Sequence, residues 1–127
     1  MKTVLIVDDE LDIVEAVKAI LEEERYRVIT CGNGREAIKC LEESKPDLAI
    51  LDIMMPVMNG YETLKAIRQK PAFEKLPILI MSAIAPTVKS KDHAWAGYLK
   101  KPFSLRQLLE HVHTLAPKDP DQEGEPP

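Results

Sequence analysis

The sequence predicts an open, doubly wound α/β fold built on a parallel sheet. Three observations carry this. Short apolar runs recur along the chain, amphipathic helical patterns separate them, and the runs end in acid, hydroxyl or lysine rather than in further apolar residues. Runs that are apolar at every position suit strands covered on both faces, the condition of a parallel sheet. Strands that alternate with helices imply right-handed crossovers.

Residues 3–7 (TVLIV) read as the first strand, which runs straight into Asp8 and Asp9. Ile13, Ala16, Val17, Ile20 and Leu21 then recur at helical spacing, one stripe facing a core. Asp12, with Glu15 three residues on, reads as the capping box that starts this helix. Residues 28–31 (VITC) form the second strand, and Asn33 with Glu36 repeats the helix-start signal. Residues 48–51 (LAIL) form the third strand and end at Asp52; Asn59 with Glu62 marks the next helix. The fourth strand, 78–81 (ILIM), delivers Ser82, and YLKKPF at 98–103 ends a fifth strand with Lys101. Ser104 with Gln107 caps the last helix, whose stripe is Leu105, Leu108, Leu109 and Val112.

The chain has 127 residues, enough for one domain with one real core. Its net charge of −4 gives no basic footprint for nucleic acid. No apolar run reaches the length of a membrane span, and the N-terminus has no signal-peptide pattern. Cys31 and Cys40 lack metal-ligand spacing and read as core fillers of a reduced, cytoplasmic protein. The composition changes at Pro117: residues 117–127 are acidic and proline-rich, with nothing to bury. They are expected to be disordered, as a tail or as the start of a linker to an output domain. Residues 1–116 are the expected domain.

In an open α/β sheet the ligand site lies beyond the carboxyl ends of the strands, where strand order reverses. With the order 2-1-3-4-5, strands 1 and 3 are neighbours at that point, and Asp8, Asp9 and Asp52 converge. Two carboxylates about 4 Å apart repel by roughly 4 kcal/mol at an effective dielectric near 20. Three would raise one another's pKa values or demand a cation. Hard oxygen ligands suit Mg²⁺ or Mn²⁺. Ser82 and Lys101 reach the same edge and add a hydroxyl donor and a counter-charge, so the set suits a phosphoryl group.

The motifs VDDE, LDIMMPVMNG, MSA and YLKKPF, in this order, resemble the receiver domain of two-component response regulators, a flavodoxin-like fold. The resemblance implies that a sensor histidine kinase or phosphotransfer protein phosphorylates Asp52 from a phosphohistidine. It implies that Asp9, Asp52 and the Met54 backbone carbonyl ligate Mg²⁺, with Asp8 acting through water. It makes Ser82 and Lys101 binders of phosphoryl oxygens, Ser82 and Tyr98 the switch pair, and the Lys101–Pro102 bond cis. Such a domain is not an enzyme; it assists only its own phosphorylation and dephosphorylation, and passes the signal to a downstream protein. It binds neither nucleic acid nor membrane, and a homodimer is compatible with the family.

Other readings of the same residues are weaker. An aspartate-nucleophile phosphatase needs a second acid two residues after the nucleophile, where this chain has Met54. A flavin-type phosphate loop needs Ser, Thr and Gly where this chain has acids. A pseudo-receiver, signalling without phosphorylation, is the alternative that the region before the fifth strand keeps open. Glu10 reads as a helix N-terminal acid favoured by the dipole, and Lys100 as a solvated residue on the opposite face from Lys101.

One region departs from the family pattern. Between Ser82 and Lys101 the chain is shorter than in typical receivers, and APTVKSKDHAWAG at 85–97 has no apolar stripe. The fourth of the family's five helices is therefore expected to be shortened or lost, with Trp95 packing as an anchor. That would alter the surface on which receivers report phosphorylation.

Overall fold

The computed structural model describes residues 1–54, 60–85 and 95–119. The elements are β1 (Thr3–Val7), α1 (Leu11–Glu23), β2 (Arg27–Cys31), α2 (Gly34–Ser44), β3 (Leu48–Leu51), α3 (Gly60–Arg68), a 3₁₀ turn (Pro71–Phe73), β4 (Ile78–Ser82), β5 (Gly97–Lys100) and α4 (Leu105–Leu115). All neighbouring strands pair parallel, in the order β2-β1-β3-β4-β5. This is the order on which the expected convergence of the acids depends.

Strand alternation divides the core between the two faces of the sheet. Leu5, Val7, Ala49, Leu51, Ile78 and Ile80 pack with Ala37 and Leu41 of α2 and Leu64 and Ile67 of α3. Val4, Ile6, Leu48, Ile50, Leu79 and Met81 pack with Val14, Val17 and Leu21 of α1 and Leu108 and Val112 of α4. Each aliphatic side chain buried this fully stabilises by roughly 1.5–3 kcal/mol. A double-sided apolar sheet also fixes which edge is left for polar chemistry.

The helix starts follow their sequence signals unevenly. Ser104 and Gln107 form the complete reciprocal box at α4. At α2 the Glu36 amide donates to Asn33 Oδ1 at 2.9 Å, and Glu36 accepts from the Gly32 amide at 3.5 Å. At α1 the expected Asp12–Glu15 box is not what starts the helix. The N-cap is Glu10, without a side-chain cap bond, and Asp12 lies inside the first turn. Asp8 orders this start instead, accepting the Glu10 amide at 2.9 Å. Asn59 lies outside the described residues.

The helix expected to be shortened or lost between the fourth and fifth strands falls on residues 86–94, which also lie outside the described residues. Among the described residues that connection contains no helix, and four helices occur in all. Trp95 is partly buried and packs against the core cluster beneath α2 and α3. Pro117 to Asp119 are described. Asp119 meets the N-terminal ammonium at 2.6 Å, and Lys118 meets Glu24 at 3.3 Å.

Candidate functional site

Register brings the strand ends together. Val7 pairs with Leu51, and the ladder continues one step further: the Asp52 amide donates to the Val7 carbonyl at 3.0 Å. On the other side the Asp8 amide donates to the Cys31 carbonyl at 3.2 Å. At β4 and β5 the Lys101 amide donates to the Ser82 carbonyl at 2.9 Å. Asp8, Asp52, Ser82 and Lys101 thus stand along one edge, and all four are buried.

The Lys101 ammonium is the hub. It donates to Asp8 Oδ2 at 2.8 Å, Glu10 Oε1 at 2.7 Å and Asp52 Oδ2 at 3.1 Å. The three carboxylates present oxygens within 4.8 Å of one another. Burial pushes the Asp8 carboxyl above its ordinary value and Asp52's charge adds to this; the bonds from Lys101 and the Glu10 amide pull back and do not prevail. Burial lowers the Lys101 pKa, but the bonds to Asp8 and Glu10 and the charge of Asp8 outweigh it, so the pKa rises overall. The lysine therefore stays charged, and burial makes the ionised form of Asp8 costly.

Most of the expected site residues meet here, and two do not. Asp52, Asp8, Ser82 and Lys101 are together. Tyr98 joins them, its hydroxyl donating to the Ser82 carbonyl at 3.2 Å. The Lys101–Pro102 bond is cis, as the resemblance implied. Lys100 is exposed, as alternation required. Asp9 is exposed and does not enter the carboxylate cluster; it lines an open cleft with Thr30, Cys31, Gly32 and Glu36. Met54 is exposed, and its described contact is the amide, which donates to Asp52 Oδ1 at 2.9 Å.

Glu10 joins Asp8 and Asp52 in the carboxylate cluster. Its sequence position reads only as that of a helix-start acid, yet its carboxylate lies on Lys101.

Gly60 holds the Asp52 loop close. Its amide donates to the Ile53 carbonyl at 3.1 Å. A Cβ there would stand 2.2 Å from Ile53 Cα and 2.6 Å from the Asp52 carbonyl oxygen. Only glycine lets α3 begin against the residue that follows the acid.

A divalent cation fits this donor set. The cluster offers carboxylate oxygens only, at the solvent-facing end of a buried edge, and carries more negative charge than one lysine neutralises. Oxygen donors with room left for water suit a hard cation such as Mg²⁺.

Comparisons with known proteins agree with this geometry. The response regulator receiver domain family matches residues 4–113, and the chain belongs to that family. It is 39% identical over 115 residues to the regulatory protein VanRB of Enterococcus faecalis, covering 88% of this chain and 51% of the relative. It is 38% identical over 117 residues to the alkaline phosphatase synthesis transcriptional regulatory protein PhoP of Bacillus subtilis, covering 90% and 48%. The chain thus spans about half the length of the curated relatives it matches. Among solved structures, the chemotaxis protein CheY4 of Vibrio cholerae superposes with a TM-score of 0.82 at 32% identity, covering 91% of this chain and 98% of that one. The response regulator TrrA of Thermotoga maritima, solved with Mg²⁺ and a beryllium fluoride, gives 0.81 at 37%, covering 91% and 99%. The receiver domain of the histidine kinase PA1611 of Pseudomonas aeruginosa carries magnesium in its active-site cleft; it gives 0.80 at 25%, covering 90% and 96%.

Proposed function

We propose that this domain is a phosphorylation-activated switch in which Asp52 accepts a phosphoryl group from a phosphohistidine of a sensor kinase or phosphotransfer protein. The observation that carries this is the Asp52 carboxylate held by Lys101 at the mouth of β3, with the Ser82 side chain on the neighbouring strand end. One oxygen of Asp52 attacks phosphorus, the N–P bond breaks, and its electron pair leaves on the histidine nitrogen. Asp52 becomes an acyl phosphate. Lys101 and the Ser82 hydroxyl then hold phosphoryl oxygens, and the Met54 amide stays on the carboxyl end of the new bond. Asp8 and Asp52 would hold Mg²⁺ or Mn²⁺, joined by Asp9 and the Met54 carbonyl. The cation, when bound, neutralises charge on the transferring group.

The reporting step follows from the same contacts. Tyr98 is tethered to the backbone of Ser82, so a Ser82 drawn toward phosphate changes what Tyr98 presents to a downstream partner. A protein donor is favoured over a small one by the rim of the site. Among the described residues, Leu11, Met54, Ile84 and Leu105 are the exposed large apolar side chains of this edge, with 55–68% of each accessible. Such a rim around a polar centre suits a protein partner. Both described cysteines are free thiols, which fits a reducing cytoplasm. No helix among the described residues is long and apolar enough to cross a membrane.

The test is intact mass after incubation with Mg²⁺ and acetyl phosphate. One added phosphoryl group, lost in Asp52→Asn and slowed by a chelator, is expected. No uptake, or equal uptake by Asp52→Asn, would overturn the reading.

A further inference from the structure

We propose that Glu10 is a placeholder for the phosphoryl group: its carboxylate holds the Lys101 ammonium in the unphosphorylated protein and yields it to a phosphoryl oxygen. The inference rests on the phosphoacceptor reading of Asp52. An ammonium has three donors and no acceptor. All three are spent, on Asp8 at 2.8 Å, Glu10 at 2.7 Å and Asp52 at 3.1 Å. A phosphoryl oxygen can reach the lysine only if one carboxylate withdraws.

The three are not equally able to leave. The Asp8 side chain is 0% exposed, and its second oxygen is held by the Glu10 amide. Asp52 is the acceptor itself. The Glu10 side chain is 55% exposed, so it turns into water with little change in solvation. Of the three anions it is the one that can be exchanged.

The helix start does not account for Glu10. It stands at the N-cap of α1 and makes no cap bond with its side chain, and glutamate is not among the residues favoured there. Its backbone is fixed instead by Asp8, which leaves the side chain to reach Lys101 just past β5. Glu10 is therefore a positioning residue: it keeps Lys101 aimed at the acceptor and competes with the anion that the acceptor will carry.

Two substitutions separate this role from simple charge repulsion. Glu10→Gln removes the charge. Glu10→Asp keeps it but is one methylene too short to reach Lys101. Glu10 is exposed and caps nothing, so both variants should fold. The full chain is titrated with beryllium trifluoride at saturating Mg²⁺, and the amide resonances of Asp52 and Ser82 are followed. The half-saturating concentration should fall about two- to fivefold in both variants, the scale of one half-exposed ion pair. The Lys101 ammonium protons, read without the anion, should exchange faster with water in both. Wild-type behaviour of Glu10→Asp would assign the effect to charge alone and overturn the placeholder, as would an unchanged Glu10→Gln. A wild type that takes up no trifluoroberyllate would overturn the phosphoacceptor reading and the placeholder together. Uptake by the wild type with both variants unchanged would overturn the placeholder alone.

Discussion

Among the described residues at the amino edge of the sheet, each acid meets its own cations or donors and no other acid crowds it. The N-terminal ammonium and Lys2 share Asp119, Lys118 meets Glu24, and the Thr3 amide donates to Asp47. The Tyr26 hydroxyl donates to the Ala116 carbonyl at 2.7 Å and ties the end of α4 to the start of β2. At the carboxyl edge three acids crowd one lysine, and two of the three acids are buried. The first arrangement spends polar groups on holding termini in place. The second keeps like charges together in a poorly solvated place, which costs stability and leaves the site ready for a cation and an anion. Loops that carry chemistry are commonly sited where the scaffold tolerates such a cost.

The largest effect should come from removing the hub. Lys101→Ala leaves Asp8 and Asp52 buried without a cation, at a cost of about 3–5 kcal/mol. Urea unfolding should show this loss, and added Mg²⁺ should restore part of it. Loss of less than about 1 kcal/mol, the scale of a surface pair, would mean that the edge is solvated and the contrast is false. Gly60→Ala should follow, because its Cβ meets backbone on both sides; overpacking of this kind costs about 1–3 kcal/mol. It should also slow phosphorylation, since the displaced backbone is that of Asp52 and Ile53.

At the amino edge Tyr26→Phe orphans a buried carbonyl and should cost about 1 kcal/mol by thermal unfolding. Burial first, and the Glu24 charge second, push the Tyr26 hydroxyl from 10.0 up to about 12. A raised folded value gives a contribution that is full below 10.0 and lost as pH rises through about 12. The difference between Tyr26→Phe and wild type should therefore be flat across neutral pH.

The smallest effects carry opposite signs at the two edges. Asp8 has a raised folded pKa, so its contribution is full below 3.8 and lost as pH rises through the folded value. Asp8→Asn should stabilise the fold at neutral pH and lose that advantage in acid. Asp119 is pulled below its ordinary value, chiefly by its bond to the N-terminal ammonium. Its contribution is present above 3.8 and lost as pH falls through the folded value, so Asp119→Asn should weaken the fold slightly at neutral pH and not in acid. Parallel pH profiles for the two variants would erase the distinction between the edges.

Much of this was readable in the residues themselves. Period and burial are linked directly, so the uniform apolar runs located four strands to within a residue, YLKKPF marked the end of the fifth, and the polar residues that end them located the edge. Ser104 and Gln107 were legible because a capping box is local chemistry. Asp12 and Glu15 misled because the same spacing occurs by chance inside a helix, and here a tertiary contact, Asp8 with the Glu10 amide, decides where α1 begins. Glu10 was missed for a related reason. Its partner is Lys101, ninety-one residues away, and no local pattern distinguishes an acid that caps a helix from one that reaches across a sheet edge. The Tyr26–Ala116 bond is likewise invisible until the fold has placed α4 beside the end of α1.

Reductive mapping of the phosphorylated protein tests the central claim most directly. Borohydride converts an aspartyl phosphate to homoserine, and peptide sequencing locates the changed residue. After phosphorylation in Mg²⁺, homoserine is predicted at position 52 and at no other aspartate. Conversion at Asp8 or Asp9, or a phosphoryl group that borohydride leaves untouched, would contradict it.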